Sequence, residues 1–298
     1  MPERFHTALP ARAALAVSGE DRATFLQGLV STDATKVDAS NARHAAFLTA
    51  QGRFLHEFFM VAIGDTIHLD AEAARRDDLM RRLKMYKLRA KVALAPADGL
   101  VVAAFWGENA AEALGLASVP GAAKAAGGGC VYVDPRLAAL GVRALVPADE
   151  LAGLAAALGF ASAAPEDYDR HRLSLAVPDG SRDLAVEHAL LLENGFEELG
   201  GVDFKKGCYI GQELTARMKY RALVKKRLMA VDIEGPAPAP GTPVTLAGEE
   251  AGEMRSAAGS HGLALLRLEA VEKARETGAQ LLAGDAKLVP HKPAWANF

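Results

Sequence analysis

The chain has 298 residues, half of them hydrophobic and 24% charged, which excludes wholesale disorder and supplies enough apolar side chains for a sizeable core. With 34 Lys and Arg against 37 Asp and Glu the formal net charge is −3, so a general basic coat for nucleic acid is excluded and only a local basic patch is left open. At roughly 100–200 residues per domain, the length predicts two domains or three small ones.

Two cysteines, Cys130 and Cys208, cannot build a disulfide framework or supply the four thiolates usual for an iron–sulfur cluster, and they fit a reducing compartment. The opening residues have no long apolar core behind a basic flank, and they carry Glu3, Glu20 and Asp21. They do not read as a secretory signal, and the acids weaken a transit-peptide reading. No stretch of about 20 uncharged apolar residues predicts a membrane span. The expected compartment is therefore the cytoplasm of a bacterium.

In chain order, a strand near Ala14–Val17 leads into a short helix over about Gly19–Val30, with Ser18 and Asp21 at capping-box spacing. Thr49–Gly52 is a turn. Phe54–Ile63 and Thr66–Asp70 form a hairpin around Gly64-Asp65. Ala71–Leu88 reads as an amphipathic helix with Leu79, Leu83 and Tyr86 on one face. Strands are expected near Lys91–Ala95, Leu100–Phe105, Cys130–Val133 and Val142–Val146, and helices at Ala110–Leu116, Asp149–Leu158 and Glu166–Leu175. The triple glycine Gly127–Gly129 is a turn without dinucleotide-loop spacing. Pro/Gly-rich Glu234–Gly241 marks the clearest boundary. Beyond it short strands at Val244–Leu246, Ala251–Ala258, Gly262–Leu268 and Gln280–Leu282 suggest a small β-barrel or sandwich.

The chain has no phosphate loop, nucleophile elbow or zinc helix, and its eight histidines are scattered, so no metal site is expected. The informative stretch is Gly201–Leu228, with eight basic residues against Asp203 and Glu213. Such a segment suits an anionic ligand or partner, or is simply a solvated basic loop. Cys208 follows Lys205 and Lys206, and Gly207 and Gly211 bracket it. A helix beginning at Gly211 would pair Glu213 with Arg217. A thiol beside two lysines and a helix start should be more thiolate than usual. Local chemistry alone leaves a reactive thiol and a buried structural one equally open. For Cys130, which opens an apolar strand, burial is expected.

Lys206-Gly-Cys-Tyr-Ile-Gly-Gln-Glu213 resembles the K-G-C-Y-x-G-Q-E signature of YgfZ-type folate-binding proteins, relatives of the glycine-cleavage T-protein (aminomethyltransferase). Val17–Asp21 with Phe25-Leu-Gln-Gly28 and Thr32-Asp33 resembles the family's opening. Leu48-Thr-Ala-Gln-Gly-Arg53 resembles its L-T-P-x-G-R segment, with Ala50 in place of proline. Tyr86-Lys-Leu-Arg89 resembles the end of its Y-x-L-R helix, and Leu192-Glu193 its P-L-E segment, with Leu191 replacing proline. Ser256-Ala257 and Leu263–Arg267 resemble its C-terminal barrel.

The resemblance implies an α+β, three-lobed aminomethyltransferase-like fold. Two interleaved lobes would occupy residues 1–230 and a β-barrel residues 231–298. It implies tetrahydrofolate or a one-carbon derivative as cofactor. Glu193 would take the pterin through paired hydrogen bonds, although residue type alone favours a helix cap or a surface glutamate there. Tyr209, Gln212 and Glu213 would join the cofactor site, and Arg217 or Arg221 would hold the glutamate tail. Cys208, with Lys206, would carry the chemistry. The partners implied are iron–sulfur client proteins or cluster carriers, transfer-RNA-modifying systems among those served. No catalytic aspartate for aminomethyl transfer aligns. The leading expectation is thus a folate-binding accessory factor in iron–sulfur protein assembly or repair. A folate-dependent aminomethyl- or methyltransferase is the alternative, and an RNA-binding module is placed last.

Overall fold

The computed structural model describes residues 4–298. It divides into two compact units: residues up to Leu48 with Leu55–Tyr168 and Leu199–Ile210, and Thr49–Phe54 with Asp169–Glu198 and Gly211–Phe298.

The first unit runs β1 (Arg4–Ala8), β2 (Arg12–Ser18), α1 (Arg22–Gln27), β3 (Arg43–Leu48), β4 (Phe54–Ile63), β5 (Thr66–Glu72), α2 (Arg76–Tyr86), β6 (Ala93–Pro96), β7 (Leu100–Gly107), α3 (Ala110–Ala113), β8 (Ala123–Ala126), β9 (Gly129–Val133), β10 (Val142–Pro147), α4 (Ala148–Ala157) and β11 (Ala161–Ser162). The strands form two sheets, ordered β3-β4-β5-β2-β6 and β11-β1-β7-β10-β9-β8. Alternation along the second sheet sorts its two faces. Val131, Val133, Val142, Ala144 and Val146 pack with Ala110, Ala111, Leu114 and Ala155 from α3 and α4. Cys130, Tyr132 and Leu145 face the other way and meet Ala14, Phe59 and Val61 of the first sheet. Cys130 is buried as expected, and burial, then the nearby Asp70 carboxylate, pushes its thiol up to about 12.

Charge is buried here too. Asp70 Oδ1 accepts from Arg12 Nε at 2.8 Å, and its Oδ2 accepts from Tyr132 Oη at 2.8 Å and Arg143 Nη2 at 2.7 Å. Asp134 takes Arg136 Nη2 at 2.8 Å. The Arg12, Arg136 and Arg143 guanidiniums lie 5.2, 4.8 and 4.4 Å from the centroid of the Phe59 ring. Opposite charges and π faces thus replace the water each ion gave up.

In the second unit come α5 (Pro165–Ser174), whose first turn still belongs to the first, α6 (Gly180–Asp183), α7 (Gln212–Tyr220), β12 (Lys226–Glu234), β13 (Pro243–Leu246), β14 (Glu249–Ala258), β15 (His261–Arg267), α8 (Leu268–Thr277), β16 (Leu281–Ala283) and β17 (Ala286–His291). The six strands close into a barrel, β12-β15-β14-β13-β16-β17. Closure leaves no unpaired sheet edge. Met229, Val231, Ile233, Val244, Leu246 and Met254 fill it with their neighbours. The Pro/Gly-rich Glu234–Gly241 stretch connects β12 to β13 within the barrel.

Several elements differ from the sequence expectation. The first helix is confined to Arg22–Gln27 and its capping box does not form, because Asp21 Oδ2 accepts from the Lys91 backbone N–H at 2.7 Å instead. Sheet pairing carries β5 through Glu72, so α2 starts only at Arg76. Leu79 and Leu83 are buried, but Tyr86 is 38% exposed and meets Phe47 edge-on. The helix α8 was not expected. Its Ala270, Val271 and Ala274 pack against the barrel core.

Candidate functional site

The signature segment crosses from one unit to the other between Ile210 and Gly211, so its two halves are described separately.

In the first unit, residues 201–210 are laced onto the chain that follows α1. Ser31 Oγ donates to Gly201 O at 2.5 Å, Asp203 N to Ser31 O at 3.0 Å and Ile210 N to Gly28 O at 3.2 Å. Lys206 Nζ donates to Gln27 O at 2.7 Å and to Val30 O at 2.5 Å, placing a cation on the last carbonyl of α1 and on one in the turn beyond it. Its ammonium also lies 4.9 Å from the centroid of the Tyr209 ring, and burial pulls its pKa down to about 8. Asp203 accepts from Lys205 N at 2.8 Å and Lys36 Nζ at 3.1 Å. Two of the sequence segments that carry the resemblance, Phe25–Gly28 and Lys206–Ile210, are therefore one structure. Between these anchors Cys208 is exposed. Of the two readings left open for it, burial is ruled out.

In the second unit, Gly211 adopts φ +80 at the start of α7, a left-handed conformation that favours glycine. Gln212 opens the helix and is half-buried, whereas Glu213, Arg217 and Arg221 are exposed. No ion pair joins Glu213 to Arg217 among the described residues, so the expected helical pair is absent. Gly52 packs against this helix start. At φ +81, a Cβ added there would stand 2.6 Å from Gly211 O and 2.8 Å from Leu214 Cβ. The L-T-A-Q-G-R turn and the G-Q-E helix start thus meet through backbone that only glycine allows.

Glu193 sits in a single 3₁₀ turn, Leu191–Asn194, closed by Gly195 at φ +74. It is half-buried, and among the described residues no hydrogen-bond donor reaches its carboxylate. Burial raises its pKa above the ordinary glutamate value, only partly offset by the charges of Lys226, Arg53 and Arg227. Those cations hold other acceptors. Arg53 Nη1 donates to His188 O at 2.9 Å, and Arg227 Nη1 donates to Leu192 O at 2.8 Å and Glu198 Oε1 at 3.0 Å. Asn194 Nδ2 donates to Leu190 O at 2.9 Å, while its Oδ1 and Glu198 Oε2 are buried without a hydrogen-bond partner. Residues 193–198 thus gather three acceptor groups short of donors. Of the three, Asn194 Oδ1 and Glu198 Oε2 are shut off from the surface, and only the half-buried Glu193 carboxylate keeps surface through which a ligand's N–H groups could reach it. Arg53 and Arg227 went unassigned in the sequence, although Arg53 closes the L-T-A-Q-G-R segment.

Among the described residues no group of three or more His, Cys, Asp or Glu side chains is arranged to hold a metal ion, and no helix is long and apolar enough to cross a membrane.

The comparisons agree with this architecture. The glycine cleavage system aminomethyltransferase T from Bartonella henselae superposes with a TM-score of 0.78, covering 99% of this chain and 86% of its own at 13% identity, a likeness of fold alone. Residues 225–298 match the CAF17 C-terminal β-barrel domain family. An aminomethyltransferase-like α+β protein ending in a CAF17-type barrel is the class so defined.

Within that class, the mouse protein named mitochondrial iron–sulfur cluster assembly factor IBA57 is 33% identical over 292 residues, 89% of this chain and 78% of its own. The human protein is 36% identical over 291 residues with the same coverage, and the Pyricularia oryzae homologue is 32% identical over 290 residues, 88% of this chain and 72% of its own. The chain belongs to the IBA57 family. This corrects the YgfZ-type assignment to a neighbouring family, YgfZ being its bacterial relative. The expected bacterial cytoplasm is corrected as well, because the mouse, human and fungal relatives are all mitochondrial by name. Two free cysteines fit any reducing aqueous compartment, and composition cannot tell one from another.

Proposed function

We propose that this protein is a folate-binding accessory factor of iron–sulfur cluster assembly, with Glu193 as the pterin acceptor and Cys208 as the working thiol. Family membership supports the assembly role, since the relatives are named for it. The observation that carries the folate reading is the half-buried Glu193 carboxylate, which no donor reaches among the described residues. The ring N–H and amino group of a reduced pterin would satisfy its two oxygens. Bound tetrahydrofolate would supply a site that carries one-carbon units. Arg217 and Arg221, exposed on and just beyond α7, would take the anionic glutamate tail, and Gln212 and Glu213 would border the cofactor. Lys206 would act through position, tying the Cys208 loop to the end of α1. Cys208 would then offer one exposed thiolate to a cluster in transit. The cluster is cargo, and its remaining ligands come from a partner or a small thiol.

Anaerobic calorimetric titration with tetrahydrofolate tests the reading. Wild type should bind saturably. Glu193→Ala should lose about 1.5–3 kcal/mol, as for a charged hydrogen bond. Cys208→Ser should bind folate normally but fail to support maturation of iron–sulfur enzymes in cells. Wild-type affinity in Glu193→Ala moves the pterin site elsewhere, and full complementation by Cys208→Ser removes the thiol from the mechanism.

A further inference from the structure

The end of α2 carries a feature that, apart from the Tyr86 contact with Phe47, neither folding nor the proposed folate site uses. Lys84-Met-Tyr-Lys-Leu-Arg89 is a run of six consecutive exposed residues in which apolar and cationic side chains interleave. Leu88 is 90% exposed, Met85 58% and Tyr86 38%. The apolar face that anchors α2 is already supplied by fully buried Leu79 and Leu83. Met85 and Leu88 are therefore surplus to the packing of the helix.

The backbone adds a second observation. Leu88 adopts φ +39, a left-handed conformation where glycine or asparagine sits at lower cost. An aliphatic side chain held there and turned to solvent returns nothing to the stability of the fold, and such outliers gather at functional positions.

The charges add a third. Arg81 and Arg82 close on Asp78, and Lys91 on Glu20 at 2.8 Å. Lys84, Lys87 and Arg89 have no ion-pair partner among the described residues, and no acid lies between Lys84 and Lys91.

We propose that residues 84–89 are a docking tip for an acidic protein, in which Leu88 enters an apolar pocket and Lys84, Lys87 and Arg89 pair with carboxylates on its rim. The three uncompensated cations set the partner's charge. The central leucine, flanked by Tyr86, Met85 and Arg89, has the apolar-centre, polar-rim layout of a small transient protein interface. RNA is a poorer fit, because Tyr86, the one planar ring in the run, already meets Phe47, and the more exposed Met85 and Leu88 give bases no surface to stack on. A membrane is a poorer fit too, because the apolar face of α2 is spent inside the fold and a single loop tip offers little to insert.

The test starts with the full chain carrying a photo-reactive benzoylphenylalanine at position 88, irradiated in living cells. Val119, 57% exposed in the same unit, provides the control position. A protein adduct is expected at 88 and not at 119. The adduct partner is then purified and its affinity measured against wild type, Leu88→Asp, Leu88→Gly and the triple variant Lys84→Glu/Lys87→Glu/Arg89→Glu. Each substitution should weaken binding at least tenfold, wild-type binding should weaken as salt rises, and Leu88→Gly should melt no lower than wild type. No adduct above the Val119 control, an adduct to RNA or lipid, or a partner that binds Leu88→Asp like wild type and ignores salt overturns the proposal. Folate titration of the same variants, expected unchanged, separates this outcome from a failure of the Glu193 reading.

Discussion

Asp70 and Glu193 are both shielded carboxylates, and the structure treats them oppositely. Burial pushes Asp70 upward, but the Arg12 and Arg143 guanidiniums and its hydrogen bonds, Tyr132 among them, outweigh it and hold Asp70 below the ordinary carboxylate range. Burial pushes Glu193 upward as well, yet no donor among the described residues answers it and the nearby arginines bond elsewhere. A saturated carboxylate is architecture. An unsaturated one is free to meet a ligand, which is why the folate proposal rests on Glu193 rather than on the larger charge cluster around Asp70.

The largest expected effect breaks the satisfied side. Asp70→Ala takes the paired carboxylate from buried Arg12 and leaves buried Arg143 with only the Asp134 carboxylate at 3.8 Å, and should cost about 3–5 kcal/mol in urea unfolding. A loss under about 1 kcal/mol would mean that water reaches the network and that the contrast with Glu193 fails.

Gly52→Ala comes next. A left-handed alanine 2.6 Å from Gly211 O should cost about 1–3 kcal/mol and loosen the start of α7, read as faster amide exchange over Gln212–Thr215. Unchanged exchange there would show that the turn and the helix are independent.

Lys206→Met removes the donor to Gln27 O and Val30 O but also the cost of burying an ammonium. A net loss of about 1 kcal/mol is expected. In the wild type, competitive acetylation of Lys206 should show a midpoint near pH 8, below that of surface lysines. A midpoint at the ordinary lysine value would contradict its burial.

The smallest effect is one of sign. Asp70 is depressed in the fold, so its contribution is present above the unfolded carboxylate pKa and is lost as pH falls through the folded value. Glu193 is raised, so the native state holds its proton more tightly, and stability falls as pH rises from the unfolded value through the folded one. Glu193→Gln should therefore gain on wild type in thermal melts as pH climbs through that window. A variant that instead loses ground as pH rises would reveal a donor on the carboxylate.

Much of the candidate site was legible because its signals are local. The order of residues in Lys206–Glu213 needs no tertiary partner to be recognised, and the turn glycines follow from backbone sterics alone. Arg53 was legible as a motif residue but not as a neighbour of Glu193, since 140 positions separate them. Tyr86 misled for the opposite reason. Helical spacing groups it with Leu79 and Leu83, but spacing says nothing about where the core beneath a helix ends. The α8 helix falls almost wholly between the expected strands ending at Leu268 and beginning at Gln280, a stretch to which the sequence reading assigns no element.

By itself the sequence determined the alternating strands, the glycine turns, the shortage of thiolates and the signature around Cys208, all of which follow from neighbours a few residues apart. Only the tertiary structure decided that Cys208 is exposed while Cys130 is buried, that Lys206 caps α1, and that Asp70 is saturated while Glu193 is not. Whether a buried charge is answered depends on partners such as Arg12 and Arg143, 58 and 73 residues from Asp70, which only folding brings within hydrogen-bond reach.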